Sequence, residues 1–295
     1  MLPTRDQIER AAYDRWIRRH RAHGHDRDDW ISSENELTYL VNYQTVVEFP
    51  LDLSSPSLLA NDAVPGCRFC ERGARQTAFS APRSVVQGLS QALLYSNRVC
   101  DECQADCRDP LGVHCENFWR TLHASRDRDQ VLMGRDVDSL AVFKSMVASA
   151  LLVMPATELG YFTDTLEWVN NPDHEYDGGL FAGTYCHVYR GPAPYDRSWI
   201  SLARRVDDEA PFPYMVSFIC WDGIVVQISV PMSVRDHDLD GRAARLPTRS
   251  LLAGEGPQFR VSGPTALRLV GRASPRRFRS GERITAISEA ARLPV

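Results

Sequence analysis

The chain has 295 residues, 43% of them hydrophobic and 24% charged, a net charge of -4 and an isoelectric point near 6.1. That balance suits a globular protein with apolar residues enough for one large domain or two modest ones, and it excludes a uniformly basic, nucleic-acid-coating surface, so any such contact must come from a local patch. No apolar run approaches the ~20 residues that span a bilayer, and the opening MLPTRDQIER lacks the apolar core of a secretion signal. The expectation is therefore no membrane partner and a cytoplasmic location, where paired Cys-x-x-Cys motifs point to metal or redox chemistry rather than disulfides. Lys144 is the only lysine among 34 basic residues. Codon bias and selection for bidentate phosphate contacts both produce such an arginine excess, and composition does not separate them.

In chain order, residues 4–40 predict two short helices around a polar turn. Ile8, Ala11, Ala12, Trp16 and Ile17 recur at helical spacing in the first, and Gly24 within HRAHGH breaks it. Asp26 or Asp28 is the expected cap of the second, which carries Trp30, Ile31, Leu37 and Leu40. The Ala-Tyr-x-x-Trp helix, the Gly-containing loop and the later Trp with its acidic-Leu ending resemble a short bacterial helical domain of unknown function. His20, His23 and His25 lie in the loop without a fixed framework of further ligands, so a solvated turn is expected there rather than a metal site.

A strand is expected at VVEF, then a Pro/Ser/Asn-rich connection through Pro56 and Pro65. Helices are expected over 111–122, over 140–154 up to Pro155, and over 157–169. From about residue 180 the pattern turns to β-branched and aromatic runs: LFAGTYCHVYRG, SWISLARRV, PYMVSFICW and IVVQISVPM, the last two joined by the hairpin signal Asp222-Gly223, with QFRVSG and TALRLVG beyond. The fold class expected is α+β: an N-terminal helical hairpin (1–45), a zinc module (60–125), a helical segment (135–172) and an antiparallel β-rich region with a basic tail (175–295).

Two Cys-x-x-Cys pairs stand out, Cys67/Cys70 and Cys100/Cys103. Four thiolates complete a tetrahedral zinc site, and each Cys-x-x-Cys turn aims both sulfurs at one ion while nearby backbone N–H groups donate to them. The expected metal is structural zinc. Cys107, Cys115 and His114 lie close enough in sequence to replace one ligand, whereas Cys186 and Cys220 sit in apolar strands as buried thiols.

The segment CRFCERGARQTAFSAPRSVVQGLSQALLYSNRVCDECQ resembles the HNH endonuclease family in its zinc-stabilised, treble-clef form. That family runs Cys-x-x-Cys, a hairpin carrying His-x-x-Pro, a loop with Asn, and a second Cys-x-x-Cys before a helix. FKSMVASALLVMP also resembles the helix that follows in some bacterial members, so the likeness covers roughly residues 65–170. It implies that the four cysteines hold structural zinc, that Pro82 is the proline of His-x-x-Pro and that Asn97 falls near the central asparagine. It also places Phe79 where the family has its catalytic histidine, and Gln104 where it has Asn or His after the last cysteine.

A phenyl ring takes no proton and orients no water, and the stretch 71–99 has no histidine and only Glu71 as carboxylate. Losing a general base costs roughly 10²–10⁴-fold in rate. The resemblance thus implies a zinc scaffold without a nuclease centre, acting as a nucleic-acid-binding or protein-interaction module. Two alternatives stand beside it. One is an HNH-type endonuclease using Mg²⁺ or Mn²⁺ with displaced groups, His114 and Glu116 being the candidates, with Asp101 and Glu102 in the second knuckle. The other is a structural subunit whose β half meets protein partners. DNA or RNA contacts are expected from Arg268, Arg272, Arg276, Arg277 and Arg279, opposed only by Glu282. The run DHDLDG (236–241) lacks the closing glutamate of a calcium loop, since Pro247 holds the twelfth position, and an acidic surface turn is expected. Nothing suggests an organic cofactor.

Overall fold

The structure, a computed structural model, describes residues 2–18, 21, 23–59, 66–124, 130–132, 138–171, 186–190, 198–222, 224–239, 265–267 and 283–285. Helix α1 (Arg5–Arg18) opens with a capping box. The Gln7 amide donates to the Thr4 hydroxyl at 3.3 Å, and the Thr4 amide donates back to Gln7 Oε1 at 2.8 Å. Helix α2 (Asp26–Asn42) returns beside it, joined by an Arg15–Glu36 ion pair. Its N-cap is His25, with no side-chain capping bond; Asp26 and Asp28 lie in its first turn, where their charge complements the helix dipole.

The face α2 buries differs from the expected one. Asp29, Ser33, Asn35, Thr38, Tyr39 and Asn42 are buried, while Leu40 is 58% exposed. Two of these polar side chains are satisfied locally: Thr38 Oγ1 donates to Glu34 O at 2.6 Å and Asn42 Nδ2 to Thr38 O at 2.7 Å. The chain then passes directly into β1 (Tyr43–Pro50).

Strand β1 is the edge of a six-stranded antiparallel sheet, β1-β7-β8-β9-β6-β10, completed by β6 (Cys186–Arg190), β7 (Trp199–Arg205), β8 (Met215–Trp221), β9 (Ile224–Val230) and β10 (Thr265–Leu267). The β8–β9 turn is the expected two-residue hairpin, with Trp221 opposite Ile224 and Asp222 at φ 47°. Met215 to Cys220 are buried without interruption, because both faces of β8 are covered. On one face α5 (Ser139–Val153) crosses β7 and β9. On the other, Tyr39 stacks on Tyr43 and meets Phe218 edge-on.

The cysteine region carries a small sheet, β2-β4-β3, from β2 (Ser57–Leu58), β3 (Arg83–Ser84) and β4 (Leu94–Ser96). A continuous helical stretch follows: α3 (Asp101–Cys103), a π turn (Gln104–Arg108) and α4 (Asp109–Ala124). The helix expected over 157–169 is instead broken into α6 (Ala156–Leu159), a 3₁₀ turn (Gly160–Phe162) and α7 (Thr163–Asn170). The break lets both halves reach the sheet. Glu158 of α6 takes hydrogen bonds from Arg204 and from the Tyr214 hydroxyl, and Thr165 of α7 donates to Pro231 O. A further pair joins β5 (Gln130–Leu132) to β11 (Arg283–Thr285).

The run from Asp236 opens on a buried residue rather than a surface one, and Asp240 and Gly241 lie outside the described residues. Val234–Leu239 form a 3₁₀ helix, and Asp236, 1% exposed, accepts from the Tyr214 amide at 2.7 Å. One hydrophobic core runs from the cysteine region through α5 to the large sheet, including Leu51, Val85, Cys100, Phe118, Leu151, Trp168, Ile200 and Val226. Among the described residues no helix is long and apolar enough to cross a membrane.

Candidate metal centre

The two Cys-x-x-Cys pairs come from different local structures. Cys67 and Cys70 form a tight knuckle closed by Glu71 N donating to Cys67 O at 2.9 Å and Cys67 N to Arg72 O at 2.9 Å. Gly66 permits it: its φ is +124°, and a Cβ there would stand 2.7 Å from Glu71 O. Cys100 and Cys103 bracket the first turn of the helix, where the Cys103 amide donates to Cys100 Sγ at 3.4 Å. The β3–β4 hairpin lies between, held against α4 by Gly88. At φ +78° it lets the backbones of Cys115 and Glu116 approach to within 3 Å of where a Cβ would sit.

These elements bring the four sulfurs within 4.8 Å of one another, the one group of three or more potential ligands among the described residues. Cys70 and Cys100 are 3.7 Å apart. A tetrahedral ion with Zn–S bonds of about 2.3 Å needs sulfurs about 3.8 Å apart, so the arrangement fits a single ion. All four are free thiols, and all but Cys70 are buried. Donors surround them: Cys100 N reaches Cys67 Sγ at 3.4 Å and Arg72 Nε reaches Cys70 Sγ at 3.3 Å. A hydrogen bond from the Cys103 thiol, helped by backbone amides and opposed by burial, pulls the Cys67 thiol down to about 4. The hydrogen bond with Cys67, and after it burial, push the Cys103 thiol up.

The carboxylates in the second knuckle are committed to structure. Asp101 accepts from the Ser80 hydroxyl and amide and from Arg83 at 2.8 Å, which holds its carboxyl below the usual aspartate value. Glu102 accepts from Arg72 at 2.7 Å and Thr77 at 3.1 Å, and is lowered likewise. Together they tie the loop after the first knuckle to the second.

The alternative ligands and catalytic candidates lie elsewhere. Cys107 donates to Asn170 O at 2.8 Å, and Cys115 is buried against α5, its thiol pushed up to about 12 by desolvation. His114 Nδ1 accepts from the Asp138 amide at 3.2 Å, at the entry to α5, and Glu116 pairs with Arg120 on the exposed side of α4. Phe79 is half-buried against the core, Pro82 and Asn97 are exposed, and the Gln104 amide donates to Asp109. His23 rests against Trp16 with ring centroids 5.8 Å apart, and His25 lies 3.7 Å from Asp28; His20 is outside the described residues. Also outside them are Arg268, Arg272, Arg276, Arg277 and Arg279.

Three residues that sequence reading did not single out hold the centre in place. Arg68, inside the first knuckle and 5% exposed, donates to Leu151 O at 2.9 Å and to Met154 O, at the C-terminal end of α5. Arg108, 1% exposed, donates to Ser84 O at 2.9 Å and Val85 O at 3.2 Å, binding the helix to β3; burial lowers it to about 10, so it keeps its charge at neutral pH. Asn170 ends α7 against Cys103 and Cys107. Sequence offered a signal only for Arg68, as a cation inside an otherwise apolar Cys-x-x-Cys.

Comparison with known families matches residues 3–38 to the family described as "Protein of unknown function (DUF2934)". The matched segment is the α1–α2 hairpin, as the helical resemblance of that segment implied. No curated protein matches the chain, and no solved structure does. The HNH resemblance of residues 65–170 has no counterpart in these comparisons.

Proposed function

We propose that the chain is a zinc-stabilised, non-catalytic binding module, with an HNH-like treble clef whose nuclease centre has been replaced. The single observation that carries this is the convergence of four cysteine sulfurs within 4.8 Å, from a knuckle and from a helix start, on either side of a hairpin. The order knuckle, hairpin, helix is that of a treble clef. At the histidine position of the family pattern stands Phe79, packed on the core, and His114 and Glu116 are engaged in capping and in a surface pair. Zinc supplies cross-linking here, fixing the hairpin to the helix as a disulfide would in an oxidising compartment. The arginines of the C-terminal segment favour nucleic acid as the partner over protein.

The test is a pair of measurements on the purified full chain: metal content by mass spectrometry, and plasmid nicking with added Mg²⁺ or Mn²⁺. One zinc per chain without nicking is the expected result. Nicking that is lost in His114→Ala would replace this reading with a displaced-centre nuclease, and absence of zinc would remove the treble clef with it.

A further inference from the structure

Of the four clustered cysteines, Cys67, Cys100 and Cys103 are buried and Cys70 is half-buried. Beside Cys70 stands Arg72, whose Nε donates to Cys70 Sγ at 3.3 Å. The same guanidinium turns its Nη1 to Glu102 of the second knuckle at 2.7 Å, and Glu102 is fixed in turn by the Thr77 hydroxyl at 3.1 Å. One side chain therefore touches a sulfur of the first knuckle and a carboxylate of the second, spanning the two halves of the centre.

The donors to the other sulfurs have a different origin. Cys67 Sγ takes a hydrogen bond from Cys100 N and Cys100 Sγ one from Cys103 N, both at 3.4 Å. Those amides are placed by the backbone. Cys70 takes its N–H from a side chain, and arginine is a donor only and always charged, so the contact has one sense whatever the state of the sulfur. The ion pair alone explains little, because Arg72 and Glu102 are 39% and 53% exposed and a pair so exposed adds little stability. Its position explains more. Four thiolates around a divalent ion carry net negative charge, and Arg72 brings a positive charge to the least buried of them.

We propose that Arg72 is a positioning residue of the metal centre: steadied by Glu102, it donates to the Cys70 sulfur and offsets the charge of the ligand set, which tightens ion binding and slows release. This rests on the metal-centre reading above.

The experiment uses full-length chains loaded with Co²⁺ and compares wild type with Arg72→Met, Arg72→Lys and Glu102→Gln. Arg75→Met, at an exposed position of the same loop, is the control. Affinity is read by chelator competition, release by its rate into excess chelator, and the Cys70 contact by the energy of the thiolate-to-cobalt charge-transfer band. Arg72→Met removes donor and charge. It should bind about 10–100-fold more weakly, the size typical for loss of an outer-shell partner, and release Co²⁺ faster. Its band should move to lower energy, because the Cys70 sulfur becomes a better electron donor, a change that a merely structural role would not produce. Arg72→Lys keeps the charge but lacks the fork that reaches Cys70 and Glu102 together, and should recover part of the affinity. Glu102→Gln leaves the N–H to Cys70 and should weaken binding less than Arg72→Met, while Arg75→Met should match wild type. Wild-type affinity or an unmoved band in Arg72→Met would overturn the role of Arg72 while leaving the metal centre intact. Failure of wild type itself to bind Co²⁺ would overturn the metal-centre reading and this inference with it.

Discussion

At the scale of single residues, the carboxylates beside the candidate centre are committed to structure. Asp101 and Glu102, the carboxylates of the second knuckle, are both consumed by Ser80, Arg83, Arg72 and Thr77. The consequence is a defined pH response. A carboxyl held below its usual value contributes stability that is present above the unfolded value of about 3.9 for aspartate and is lost as pH falls through the lower, folded value. Carbon-13 titration of the Asp101 carboxyl should give a midpoint below that of an ordinary aspartate. Arg83→Gln should move it part of the way back up, because the Ser80 bonds persist. An unmoved midpoint would mean that Arg83 does not pair with Asp101 in solution. The four clustered cysteines were legible from spacing alone, since the geometry of a Cys-x-x-Cys turn is local. The three supports were not, because Arg68, Arg108 and Asn170 act on groups brought to them by folding.

Among the elements, the helices show what periodicity can and cannot give. The spacing of apolar residues placed α1, α2, α4 and α5 within a few residues of their observed bounds. It did not say which face of α2 is buried: the stripe Asp29, Ser33, Thr38 and Asn42 faces inward because Tyr39, on the same side, docks on Phe218 of the sheet. Helix α5 is buried all round, so its sequence shows no side to choose. Its C-terminal end is instead located by Arg68, whose guanidinium takes the carbonyls of Leu151 and Met154 and so fastens the first knuckle to the helix. Arg68→Met keeps the volume but leaves those carbonyls unpaired, and should cost about 2–3 kcal/mol. Urea denaturation should show a lower midpoint at unchanged slope, whereas Arg75→Met, at an exposed position, should stay within about 0.5 kcal/mol of wild type.

For the molecule as a whole, the cysteine region and the large sheet share one core, with Cys67 and Cys103 in the same apolar cluster as Leu151, Ile200 and Val226. Metal loss should therefore not melt a separate module first. Stripping the metal with a chelator is expected to lower Tm by about 2–4 °C for each kcal/mol withdrawn, within a single thermal transition followed by both near- and far-ultraviolet circular dichroism. An early transition confined to the cysteine region would contradict the shared core. The sequence by itself determined the α+β class, the four candidate ligand cysteines, the β8–β9 hairpin and the N-terminal helix pair, because each is a pattern written within a few consecutive residues. Only the tertiary structure decided that β1 joins a sheet built mainly from the C-terminal half, that Asp236 turns inward, and that Arg68 and Asn170 brace the metal centre. Those contacts join residues far apart in the chain, Arg68 and Leu151 by 83 positions and Tyr43 and Pro213 by 170, and the chain between them carries no period that records the meeting.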